Sequence, residues 1–173
     1  MISVFLSKLL TSRQASFTDK DISVFDLLFA MQPIESLVEL QKELEKKLGK
    51  EGEQLMVEFG RMISDDIIKH FKKKFNLKGK RLESIWLNMF GLSGLGKLEV
   101  IKMDSKEARF QTDSSTVAKI YLSKFKKSKK PVCLIISGML ESYTKEVIGK
   151  RAKCIETTCV AQGKKYCVFE IKF

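Results

Sequence analysis

The chain has 173 residues, 32 of them Lys or Arg and 21 Asp or Glu, which gives a formal net charge of +11 at pH 7. With 44% hydrophobic residues and two prolines, a chain of this length buries roughly 70% of its unfolded surface, which excludes wholesale disorder and collagen-like repeats. No run reaches the roughly 18 uncharged apolar residues that a bilayer span requires, and Met1 to Leu10 lacks a charged n-region and a small-residue cleavage site, so a cytoplasmic protein is expected.

Residues 13–30 read as a hairpin, with Gln14 to Phe17 and Ile22 to Phe25 flanking the polar turn Thr18-Asp19-Lys20-Asp21. Pro33 suits a first helical turn, and Ile34, Leu37, Val38, Gln41, Leu44 and Leu48 keep the 3.6-residue period until Gly49. Leu55, Met56, Phe59, Ile63, Ile67, Phe71 and Phe75 mark a longer helix, with Asn76 and Gly79 as stop signals, and a short helix follows from Leu82 to Phe90.

Gly91, Gly94 and Gly96 punctuate the chain before two antiparallel strands, Leu98 to Met103 and Ala108 to Thr112. Their spacing is not that of a dinucleotide loop, and they precede a strand instead of a helix. Ser114 or Ser115 caps a helix running to about Phe125, and a lysine run then ends at Pro131. Val132 to about Ile148 is a buried helix stopped by Gly149, and a last hairpin joins Ala152–Val160 to Lys165–Lys172 through Gln162-Gly163-Lys164. Hairpin, helices, hairpin, helices, hairpin predicts one α+β domain over residues 1–173, with helices packed on a twisted antiparallel sheet.

Four cysteines are too few and too clustered for a disulfide scaffold. Cys133, Glu156, Cys159 and Cys167 form C-x22-E-x2-C-x7-C, three soft thiols and a harder carboxylate that make a competent tetrahedral zinc set. In a regular strand Glu156 and Cys159 point to opposite faces, so a bulge or turn at Thr157-Thr158 is required. Cys154 competes with Glu156 for the fourth place, and plain core packing of Cys133 is the alternative to any metal. Four protein ligands leave no open position for water, so the zinc is expected to be structural.

Trp86, Phe90, Phe110 and Tyr143 are the aromatic candidates to line an apolar ligand pocket, and ordinary core packing is their alternative. His70, the single histidine, sits among lysines and supplies no catalytic array. Residues 69–81 carry six lysines and Arg81, and residues 124–130 carry five lysines, both runs without an acid. Neither lies in a nucleic-acid-binding signature, which argues against nucleic acid as a partner.

Pro131 to Leu140, then Cys154-Ile-Glu156-Thr-Thr-Cys159-Val-Ala-Gln-Gly163-Lys-Lys-Tyr-Cys167-Val-Phe169, together with Gly94 to Val100 and Ala108 to Ala118, resemble the 4-vinyl reductase domain family. Residues 93–173 match best, and the hairpin and helices of 1–92 more loosely. The resemblance implies a fold shared with heme-nitric-oxide-binding sensors and vesicle-tethering subunits, a homodimer, and zinc on Cys133, Glu156, Cys159 and Cys167. It also implies a small hydrophobic or aromatic ligand, near which the family's sensors place a tyrosine at about Tyr143, and a signal passed to a regulatory protein partner. The family's name further implies an accessory or substrate-carrying role in vinyl-group reduction, although no dinucleotide fingerprint supports an independent reductase. An adaptor using the basic patches is the third reading.

Overall fold

A computed structural model describes residues 4–173, so residues 1–3 of the Met1 to Leu10 stretch lie outside the described residues. The chain divides into two compact units, one ending at Pro33 and one running from Ile34 to Phe173.

The first unit is more than the expected hairpin. Helix α1 (Val4–Thr11) precedes strands β1 (Ala15–Phe17), β2 (Ile22–Val24) and β3 (Leu27–Phe29), which form an antiparallel sheet in that order. The polar turn folds as predicted, with the Thr18 hydroxyl accepting from the Lys20 and Asp21 amides. The third strand follows a two-residue turn at Phe25 and Asp26, both at positive φ (55° and 64°). That geometry matches a type I′ turn, whose usual signal is Asn-Gly.

In the second unit, α2 (Ile34–Leu48) and α3 (Lys50–Phe75) are separated only by Gly49, and Asn76 closes α3 in the left-handed region. Gly79 opens α4 (Gly79–Leu92) instead of stopping α3. Strands β4 (Glu99–Met103) and β5 (Glu107–Thr112) are followed by α5 (Thr116–Phe125) and α6 (Leu134–Ile148). Strands β6 (Cys154–Thr158) and β7 (Cys167–Lys172) then close the chain around a single 3-10 turn, Val160–Gln162. The sheet order is β4-β5-β7-β6, antiparallel throughout. The α+β class read from the sequence is therefore the observed one, and no described helix is long and apolar enough to cross a membrane.

Alternation sets the core face of the sheet. Ala108, Phe110 and Thr112 of β5 pair directly with Ile171, Phe169 and Cys167 of β7, and all six are buried. On the helical side α3 and α6 approach so closely that a Cβ at Gly60 would lie 2.1 Å from the Ile135 carbonyl oxygen, and one at Gly138 only 1.9 Å from that of Val57. This contact corrects the expected stripe on α3. The buried face runs through Met56, Gly60, Ser64, Ile67, Ile68 and Phe71, whereas Leu55 and Phe59 are 42% and 39% exposed. Small residues occupy the contact line because α6 leaves no room for larger ones, so an apolar count misplaces the face by part of a turn.

Candidate metal centre and aromatic cluster

Each cysteine of the C-x22-E-x2-C-x7-C set sits where an element begins or ends. Cys133 is the N-cap of α6, Cys159 lies between β6 and the 3-10 turn, and Cys167 opens β7. Glu156 lies within β6, opposite Phe169, and the register then shifts so that Thr158 faces Val168. Thr157 is thus the extra residue that the parity argument required, and it lets Glu156 and Cys159 share a side.

The four ligand atoms lie within 4.8 Å of one another and all four residues are buried. The Sγ separations are 3.9 Å (Cys133 to Cys159), 3.7 Å (Cys133 to Cys167) and 3.7 Å (Cys159 to Cys167). A tetrahedral ion with metal–sulfur bonds of about 2.3 Å has ligand edges of about 3.8 Å, so the thiols already stand at coordination spacing. All four cysteines are free thiols.

Glu156 supplies an independent test of fit. Its Oε2 accepts from the Cys133 amide at 2.8 Å, while its Oε1 is buried without a hydrogen-bond partner. A buried carboxylate oxygen left unmatched is costly, and a cation beside it removes that cost. Outer contacts orient the sulfurs: the Ser115 hydroxyl lies 3.3 Å from Cys133 Sγ, and the Val160 amide donates to Cys167 Sγ at 3.3 Å. Ser115 also caps α5 by accepting from the Ala118 amide. Sequence reasoning offered Ser114 or Ser115 as the cap and missed the place of Ser115 at the centre.

Ionisation follows from crowding. Burial first, then repulsion by the Cys159 charge, pushes the Glu156 carboxyl up to about 8. Burial likewise raises the Cys133 thiol, and Cys167 is raised where its thiol serves Cys159 as a hydrogen-bond donor and is desolvated. Hydrogen bonds from Cys133 and Cys167 hold Cys159 down. Without a cation the cluster therefore keeps about one negative charge and retains its other protons.

Cys154 stands apart from this set. It lies across from Ile171 on β6, its amide donates to Glu141 Oε1 at 2.9 Å, and the other oxygen of Glu141 accepts from Arg61 Nε at 2.6 Å. Sequence reasoning did not anticipate this carboxylate, which joins α3, α6 and the start of β6.

Trp86 and Phe90 of α4, Phe110 of β5 and Tyr143 of α6 do come together. Ring centroids are 4.5 Å apart for Trp86 and Tyr143, 5.7 Å for Trp86 and Phe90, and 5.7 Å for the edge-on pair Phe110 and Tyr143. All four side chains are at most 1% exposed, so the rings close on each other. Trp86 Nε1 donates to Ser64 Oγ at 2.9 Å, a partner whose only sequence signal was a polar residue on the buried face of α3. The Tyr143 hydroxyl is different: it is fully buried, and among the described residues it makes no hydrogen bond of ordinary geometry. Burial first, then the negative charge of the Glu83 carboxylate and a hydrogen-bonding interaction with it, raise its pKa, so it stays a neutral donor directed towards Glu83. His70 is half-buried on the edge of the Phe71 ring, 5.9 Å between centroids, away from both clusters.

A helix-on-sheet unit with a thiol-rich centre at its closing hairpin is the architecture on which comparison with known proteins converges. The V4R domain profile matches residues 115–173, the stretch that carries all four donors. An uncharacterized protein of Methanocaldococcus jannaschii, MJ1460, is 30% identical over 131 residues, covering 73% of this chain and 69% of that protein. The chain belongs to the V4R domain family. The phenol regulator MopR of Acinetobacter guillouiae is 34% identical over 85 residues, 46% of this chain but only 15% of that regulator. The crystal structure of the phenol-responsive sensory domain of the transcription activator PoxR with phenol superposes with a TM-score of 0.81. That likeness covers 99% of this chain and 91% of the other at 20% identity, and it establishes a shared fold.

Proposed function

We propose that this chain is a small-molecule sensing domain that takes a hydrophobic, aromatic ligand among Trp86, Phe90, Phe110 and Tyr143 and acts through a protein partner. The observation that carries the reading is the Tyr143 hydroxyl, a fully buried neutral donor at the centre of an aromatic cluster that makes no hydrogen bond of ordinary geometry and has only the Glu83 carboxylate to direct itself towards. It is the group that a phenol-like hydroxyl would satisfy. The named ligands of the MopR and PoxR relatives are of that chemistry. Because the rings touch one another, a ligand enters only as they part, and binding therefore selects between a closed and an opened arrangement of α4 against α6. That coupling is what passes a signal to a partner.

The test is calorimetric titration with phenol and with toluene, on the unmodified chain and on Tyr143→Phe. Phenol affinity is expected to fall roughly tenfold in the variant, the value of one hydrogen bond, with toluene changed less than twofold. If neither compound binds the unmodified chain, the sensing assignment fails.

Zinc on Cys133, Glu156, Cys159 and Cys167 is the structural part of this reading. Four protein donors close the coordination sphere, so the ion would fasten the β6–β7 hairpin to the start of α6. Because the free cluster retains most of its protons, uptake of the ion expels two or three of them, and the sign is fixed: affinity rises with pH. Between pH 6 and 7.5 the expected gain is roughly tenfold per pH unit for each proton expelled, and calorimetry in buffers of different ionisation enthalpy counts the protons. A pH-independent affinity would remove Glu156 and the raised thiols from the ligand set. A homodimer belongs to the same reading, supported by the exposed apolar line Leu55, Phe59 and Met62 on α3; light scattering after size exclusion reports it.

A further inference from the structure

Five lysines that the sequence keeps far apart share one surface. Lys126, Lys127 and Lys129 lie in the loop after α5, and Lys164 and Lys165 in the turn between β6 and β7. The Ser128 amide donates to the Ala161 carbonyl at 2.9 Å, and Gln162 Nε2 donates to the Lys129 carbonyl at 3.2 Å. Gly163, at φ 75°, turns the chain where a Cβ would lie 3.1 Å from the Lys127 side chain. Loop and turn are therefore held side by side, and their ammonium groups extend one run of charge into a patch.

The neighbouring lysines are neutralised, and four of these five are not. Lys124 pairs with Glu35 and Glu39 of α2, and Lys130 with Glu45 and Glu53 of α2 and α3. Lys126, Lys127, Lys129 and Lys164 are exposed and make no ion pair with another described residue. Lys165 lies 5.0 Å over the ring of Tyr166, and Asp113 offsets part of its charge. In the other basic run Lys69 pairs with Asp65 and Lys72 with Glu146, while Lys73, Lys78 and Lys80 are exposed and make no ion pair with another described residue, so that run serves as the control for exposed charge alone.

The chemistry of the surroundings selects the partner. Among the described residues, the large exposed hydrophobic side chains fall outside residues 119–131 and 160–167. A protein partner needs aromatic or aliphatic anchors at the centre of its patch, and a membrane-surface segment needs apolar groups to insert. A phosphodiester backbone needs only a row of cations, and the half-buried Tyr166, with Lys165 over its ring, sets an aromatic group beside them. We propose that this lysine surface binds the phosphate backbone of single-stranded nucleic acid without sequence preference. The proposal stands independently of the aromatic-ligand reading.

The test is fluorescence anisotropy of the full chain with a labelled 20-nucleotide oligothymidylate between 50 and 200 mM KCl. The logarithm of affinity is expected to fall against the logarithm of salt with a slope of about −3.5, the value for five phosphates neutralised on a single strand. The double variant Lys127→Glu/Lys164→Glu is expected to bind at least about tenfold more weakly and with a shallower slope. Lys73→Glu/Lys80→Glu carries the same change in net charge on exposed positions of the other basic run, and is expected to stay within about twofold. Equal losses in the two doubles would reduce the effect to diffuse net charge and overturn the proposal. So would an absence of oligonucleotide binding at 50 mM KCl. Patch-dependent binding to phosphatidylserine vesicles without oligonucleotide binding would assign the surface to lipid and overturn it too.

Discussion

Cys159→Ser is expected to abolish stoichiometric metal and lower unfolding free energy by roughly 3–5 kcal/mol, because binding of a structural ion and folding are one equilibrium. Cys159 is the donor most committed to the centre: it is fully buried, lies 3.7–3.9 Å from both other sulfurs, and holds the negative charge that the remaining donors are built around. Serine keeps the volume but offers no thiolate, so Glu156 Oε1 and two desolvated thiols are left without the cation that matches them. The loss corresponds to a melting shift of roughly 10 °C for a unit of this size. Cys154→Ser is the contrast, expected to cost less than about 1 kcal/mol, because Cys154 is held through its backbone amide and its thiol lies outside the donor set. Metal per chain by plasma mass spectrometry and thermal unfolding with and without chelator measure both variants. A Cys159→Ser protein that melts with the unmodified one, or a Cys154→Ser protein that loses the metal, would reassign the centre.

The two clusters were unequally legible, for physical reasons. Donor type and spacing are chemical facts that survive any fold, so Cys133, Glu156, Cys159 and Cys167 could be grouped before their elements were placed. Period-two parity even demanded the bulge found at Thr157. The choice between Glu156 and Cys154 was not legible, since the two share a face of β6 and only their position along the strand relative to Cys133 separates them. Tyr143 and Trp86 could be nominated as aromatics, but their contact joins α4 to α6 across more than fifty residues, and no local period reports that. The third strand of the N-terminal sheet was missed because Phe25 and Asp26 adopt positive φ without the glycine or asparagine that advertises it. The apolar residues Leu55 to Phe75 mark α3 without its first turn, because its contact face is built of Gly52, Gly60 and Ser64 as much as of apolar side chains.

Trp86→Ala is expected to destabilise the protein by about 3–5 kcal/mol and, in doing so, to expose what the aromatic cluster can hold. Trp86 is 1% exposed and contacts Phe90 and Tyr143, so truncation removes the transfer energy of the indole and leaves a cavity that tight helix packing cannot collapse. That cavity would be walled by Phe90, Phe110 and Tyr143, with the buried Tyr143 hydroxyl and the freed Ser64 hydroxyl as its polar groups. An apolar cavity of this kind takes up aromatic molecules of matching size. Indole and phenol should therefore restore part of the lost stability in a concentration-dependent way, whereas cyclohexanol, lacking a flat π face, should restore less. Thermal unfolding over a ligand series reads the recovery directly. If the variant is destabilised by the expected amount yet no aromatic raises its melting temperature, the cluster is a packed core and the ligand lies elsewhere. If indole rescues Trp86→Ala while phenol already stabilises the unmodified chain, the same ring cage serves both, and its opening is the step to which a partner's response is tied.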